Sequence, residues 1–222
     1  MERNFMQHKY KLVVFDVDGT LLDTTEGVIS AVKYTIKKHG LEELEENDLR
    51  KFIGPPIQDS FARQYGLEGE ILQDLATTFR NQYKDVDLLK AKPYDAIYDI
   101  MDSLVKNDVK IAVATYKRQD YATEILTHFG FDKYTKILYG ADHYNKLKKK
   151  DIIKMCIDDS GIVNYKDVVM VGDSDNDAIG AENIGVSFIG VTYGFGFKNE
   201  EDVKKFHNVG VANTTEQILE FV

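Results

Sequence analysis

Lys11-Leu12-Val13-Val14-Phe15-Asp16-Val17-Asp18-Gly19-Thr20 is an apolar, β-branched run that stops at two carboxylates two residues apart and then meets a glycine. The run reads as a buried strand, and the glycine permits a sharp turn out of it. Four later runs have the same character: Lys110–Ala114, Lys136–Tyr139, Asp167–Val171 and Val186–Val191. Helical patterns fall between them at Asp120–Phe129, Asp151–Asp159 and Asp177–Asn183, closed by Gly130, Gly161 and Gly185, where a helix end favours glycine. Strands alternating with helices predict an α/β fold on a parallel sheet.

The interval between the first two strands is far longer than one crossover helix needs. Its apolar spacing is helical: Val28, Ile29, Val32 and Ile36 before Gly40, then Phe61, then Ile71, Leu72, Leu75 and Phe79. The organisation expected is a core from residues 1–22 and 91–222 with a small helical domain, residues 23–90, inserted near Asp23 and Lys92-Pro93.

Composition narrows the function. The 222 residues carry 28 Lys+Arg against 37 Asp+Glu, a formal charge of −9. This balance opposes nucleic-acid binding, which wants a basic surface to release counterions. With 43% hydrophobic and 29% charged residues the chain is neither disordered nor a disulfide scaffold. The longest uncharged stretch, Asn183–Phe197, is short for a membrane span, so no membrane association is expected. One cysteine, Cys156, and no leader-like pattern at Met1–Asn4 predict a cytoplasmic location, with Cys156 packed beside Ile153 and Ile157. No histidine shows metal-ligand spacing. Oligomeric state is not readable.

The acidic pair has a counterpart. Val168-Val169-Met170-Val171-Gly172-Asp173-Ser174-Asp175-Asn176-Asp177 again runs from strand through glycine to carboxylates. Side chains at the carboxyl ends of neighbouring parallel strands share one crevice. Each carboxylate pair at 4 Å there repels by about 4 kcal/mol at an effective dielectric of 20. Such a cluster needs protons or a counterion, and an oxygen-only donor set suits Mg²⁺. The alternative, that these aspartates only form turns and cap helices, is weak for two clusters that each follow an apolar strand.

These two motifs, a strand ending at Thr115 and a lysine near residue 149 together resemble the four motifs of haloacid dehalogenase-type phosphatases. The helical insertion after the first strand, Phe52-Ile53-Gly54-Pro55-Pro56 and Gly190–Gly196 resemble the phosphoglycolate phosphatase-like branch. The resemblance implies a Rossmann-like parallel-sheet core with an α-helical cap. It implies Asp16 as the nucleophile that takes the phosphoryl group, and Asp18 as the acid–base that serves the leaving oxygen and then water. The Mg²⁺ site it implies comprises Asp16, Asp18 through its backbone carbonyl, and Asp173, with Asp177 orienting a ligand or a metal-bound water. Thr115 and Lys149 would contact the phosphoryl group, and Tyr116 stands where relatives often carry Asn at the substrate. Lys149 is chosen from Lys146, Lys148, Lys149 and Lys150 by its spacing to Ile153; Lys148 and Lys150 stay open.

The activity so implied is a Mg²⁺-dependent phosphatase acting on a small phosphorylated metabolite through an aspartyl-phosphate. A sugar-phosphate mutase and a 5′-nucleotidase are alternatives on the same scaffold, and a non-catalytic phospholigand-binding protein is a more distant one.

Overall fold

The computed structural model describes residues 9–143 and 146–222. The Met1–Asn4 start and His8 lie outside the described residues. Six strands form one parallel sheet: β1 Leu12–Phe15, β2 Lys110–Arg118, β3 Leu138–Ala141, β4 Val168–Gly172, β5 Ser187–Val191 and β6 Gly210–Ala212. The order is β3-β2-β1-β4-β5-β6. This is the doubly wound α/β arrangement, and the strand order reverses between β1 and β4. Every residue of β1 and β4 is buried, as central parallel strands covered on both faces must be.

The described residues of Met1–Leu22 and Pro93–Val222 form one compact unit, and Asp23–Lys92 forms another. Short strands Leu22–Asp23 and Lys92–Pro93, where the chain passes between the units, pair with each other. The inserted unit contains α1 Thr25–Lys38, α2 Glu46–Arg50, α3 Ile57–Tyr65 and α4 Glu70–Gln82. Helix α1 buries Val28, Ile29, Val32 and Ile36, whereas α4 buries only Leu75 and Ala76 and leaves Ile71 exposed. The fully buried Asp87 accepts from Ser30 Oγ at 2.9 Å and Gln82 Nε2 at 2.9 Å, and pairs with Lys90 Nζ at 2.7 Å. These partners offset the cost of removing its charge from water.

In the other unit the helices are α5 Ile97–Lys106, α6 Gln119–His128, α7 Lys149–Ser160, α8 Asp175–Ile184 and α9 Glu200–Val203. Leu12, Val14, Ala112, Ala114, Val168 and Met170, alternate residues of three adjacent strands, pack with Ile152, Ile153, Cys156 and Ile157 of α7 and Ala178 and Ala181 of α8. Burial pushes the Cys156 thiol up to about 12, and it donates to the Val113 carbonyl at 3.2 Å.

Sequence patterning and structure differ at two strands. The apolar run stops at Ala114, but β2 continues through Thr115-Tyr116-Lys117-Arg118 because Arg118 finds a register partner in Ala141. Strand β3 begins at Leu138, two residues after the apolar run starts, and ends at Ala141. Among the described residues, no helix is long and apolar enough to cross a membrane.

Candidate active site

Strands β1 and β4 lie side by side with Phe15 opposite Val171, and Asp16 N–H donates to the Val171 carbonyl at 3.0 Å. Asp16 and Asp173 therefore leave adjacent strands together at the point of order reversal. Asp177 comes from the first turn of α8, whose N-cap is Ser174. Its Oδ2 accepts from Ser174 N–H at 3.1 Å and Ser174 Oγ at 2.7 Å, so one carboxyl oxygen caps the helix and leaves Oδ1 for the site. One oxygen from each of Asp16, Asp173 and Asp177 lies within 4.8 Å of the other two, and all three residues are buried.

Lys149 is the first residue of α7 and is 3% exposed. One helical turn separates it from Ile152 and Ile153, so it shares their inward face. Its Nζ is 2.7 Å from Asp16 Oδ1 and 2.6 Å from Asp177 Oδ1. The neighbouring Lys150 is exposed, and Lys148 is the N-cap, its N–H bound by Asp151 Oδ2 at 2.9 Å. Gly180 of α8 makes room for the lysine stem, since a Cβ there would sit 2.8 Å from Lys149 Cγ. Tyr116, expected at the substrate, uses its hydroxyl to accept the Lys149 N–H at 2.8 Å. It thereby ties the end of β2 to the start of α7.

Three buried carboxylates against one ammonium leave the group short of positive charge. Burial, the main cause, together with Asp177 and Asp18, pushes Asp16 up to about 7 against the pull of Lys149. Burial also pushes Asp173 up to about 8, helped by Asp177 and Asp16 and opposed by main-chain N–H donors. Burial alone would lower the Lys149 pKa, but Asp16 and Asp177 outweigh it and hold the ammonium above its ordinary value. Lys149 Nζ touches the buried Asp177 Oδ1 as a charge, yet that oxygen has no aligned hydrogen bond. A close group of carboxylate oxygens with an incompletely satisfied member fits a hard divalent cation.

Asp18 separates from this trio. Its Oδ1 is 3.1 Å from Lys117 Nζ, both side chains mostly buried, and its carboxyl is not among the grouped ligands. Thr115 is buried, with Oγ1 accepting from Lys117 N–H at 3.1 Å.

Sequence reasoning missed Lys117 because it ended the strand before it; the signal was its alternation with Thr115. It also missed the two donors to Asp173 Oδ2, Phe195 N–H at 2.6 Å and Gly196 N–H at 3.0 Å, for which the glycine-rich Gly194–Gly196 stretch was the only signal.

A family model described as haloacid dehalogenase-like hydrolase matches residues 13–191, which span both acidic clusters. The chain belongs to this family. Among haloacid dehalogenase-like hydrolases it is 32% identical over 193 residues to a 5′-nucleotidase of Pseudomonas aeruginosa, covering 86% of this chain and 87% of that one. It is 30% identical over 191 residues to a phosphoglycolate phosphatase of Agrobacterium fabrum, covering 83% and 81%. The crystal structure of a predicted phosphatase from Clostridium acetobutylicum superposes with a TM-score of 0.85 at 33% identity, over 96% of this chain and all of that one. The protein is thus a hydrolase of the haloacid dehalogenase-like family, and the phosphatase names of these relatives agree with a phosphoric monoester hydrolase.

Proposed function

We propose that the enzyme hydrolyses a small phosphate monoester through an aspartyl-phosphate on Asp16, with Mg²⁺ as cofactor and the cytoplasm as its setting. The observation that carries this reading is the buried group of Asp16, Asp173 and Asp177 around Lys149, placed at the carboxyl ends of β1 and β4. A bound Mg²⁺ would be held by Asp16, Asp173 and Asp177 with the Asp18 carbonyl, and would neutralise charge on the phosphoryl oxygens as they rearrange. Asp16 attacks phosphorus as a carboxylate. Lys149, fixed as a cation between Asp16 and Asp177, orients that carboxylate, favours its ionised form against the effect of burial, and offers its charge to the phosphoryl group. Thr115 lies one residue beyond β2's apolar core and is suited to donate its hydroxyl to a phosphoryl oxygen.

Asp18 gives a proton to the departing alkoxide and later takes one from the water that cleaves the aspartyl-phosphate. The 5′-nucleotidase and phosphoglycolate phosphatase relatives favour a small phosphorylated metabolite as substrate. The test is phosphate release from a panel of phosphorylated metabolites with Mg²⁺, scored by kcat/KM, alongside Asp16→Asn. Turnover that depends on metal and disappears in the variant is expected. Full metal-dependent activity in Asp16→Asn would overturn the nucleophile.

A further inference from the structure

We propose that Lys117 is a positioning residue that tethers the Asp18 carboxylate outside the Asp16–Asp173–Asp177 group, so that a bound cation does not recruit it. The inference rests on the reading of Asp18 as the acid–base.

Asp18 is two residues from Asp16, and a divalent ion among three carboxylates would attract a fourth. Once coordinated, that carboxylate could no longer exchange a proton with the leaving oxygen. Two features oppose the capture. Asp18 Oδ1 and Lys117 Nζ are 3.1 Å apart, with side chains 13% and 7% exposed, so withdrawing Asp18 would break an ion pair between two largely desolvated groups. The carboxylate would also enter a site already crowded with negative charge.

The strand is built to present Lys117 in this way. Ala114 is opposite Tyr139 and Arg118 is opposite Ala141, so β2 advances four residues while β3 advances two. A bulge of this kind re-aims side chains near a site. Residue 140 must be glycine for the two chains to close over it, because a Cβ there would lie 2.5 Å from the Lys117 carbonyl oxygen. Gln119 fastens the distortion by accepting from Gly140 N–H at 2.7 Å and donating to the Leu138 carbonyl at 3.0 Å. Thr115, Tyr116 and Lys117 consequently serve three partners from three consecutive positions.

The experiment compares wild type, Lys117→Met, Lys117→Arg, Asp18→Asn and the Lys117→Met/Asp18→Asn double variant. Calorimetric titration with Mg²⁺ should show about fivefold or tighter binding in Lys117→Met, as Asp18 joins the ion, and a return to the affinity of Asp18→Asn alone in the double variant. A p-nitrophenolate leaves without a proton whereas an alkoxide needs one. The ratio of kcat/KM for an alkyl phosphate to that for p-nitrophenyl phosphate should therefore fall about tenfold or more in both Asp18→Asn and Lys117→Met, and Lys117→Arg should restore most of it.

If Lys117→Met does not fold, Lys117→Gln gives the same two shifts. An unchanged ratio and unchanged Mg²⁺ affinity in the Lys117 variants, with the ratio reduced in Asp18→Asn, overturn the tether alone. An unchanged ratio in Asp18→Asn overturns the acid role and the tether with it.

Discussion

The proton occupancy of the acidic trio sets how tightly the proposed metal can bind. Without metal, Asp16 titrates near 7 and Asp173 near 8, both far above the ordinary carboxylate value of 3.8. A cation must displace those protons. With both values raised to the neutral range, the pair still holds protons at pH 7, so binding of each ion releases about one proton. Because both carboxyls are held so far above the ordinary range, protons compete with the cation more strongly as pH falls, and Mg²⁺ should bind more than tenfold more weakly at pH 6 than at pH 9. Calorimetry at pH 6, 7 and 9, in buffers of different ionisation enthalpy, reads both the dissociation constant and the protons released. An affinity that changes less than tenfold over this range, or no proton release at pH 7, would refute the argument that burial and mutual repulsion keep these carboxyls protonated until a cation arrives.

Three further outcomes follow from the same geometry. Below pH 4 Asp173 is protonated in both folded and unfolded chains; as pH rises the unfolded chain ionises first, so the metal-free fold loses stability from there up through about 8. Asp173→Asn should therefore raise the metal-free Tm at pH 8 while weakening Mg²⁺ binding, and a lowered Tm contradicts this. Lys149→Met removes the only ammonium contacting Asp16 and Asp177 among the described residues, and should destabilise the metal-free fold by the several kcal/mol typical of a broken buried pair, about 3–5, with a correspondingly lower Tm. Added Mg²⁺ should recover part of that loss in thermal unfolding, and kcat should fall about a hundredfold or more. Gly180→Ala forces a Cβ to within 2.8 Å of the Lys149 stem and should cost about 1–3 kcal/mol in urea unfolding, with a lower kcat; an unchanged kcat would mean that Lys149 shifts without consequence.

The alternation of apolar strands and helices was readable because central parallel strands are continuous runs with no polar face. Where a strand carries polar side chains to a site, as β2 does from Thr115 to Arg118, that signal fails. The three-residue β6 offered no run at all. In α4 the apolar spacing promised a longer buried stripe than packing uses, since helical periodicity records which residues share a face and not how far a neighbour extends along it.

The site divides along the same line. Local sequence alone determined that Asp16 and Asp173 end apolar strands, because the change from apolar run to carboxylate is written in consecutive residues. Tertiary structure decided that those two strands are neighbours, that Lys149 reaches the trio while Lys150 faces solvent, and that Asp18 goes to Lys117. Each of these depends on an approach between segments far apart in the chain: α7 against Gly180, or β2 bulging over Gly140. Burial and charge pairing are properties of that assembled environment, and a run of lysines or a pair of aspartates carries no local mark of which member it will take inside.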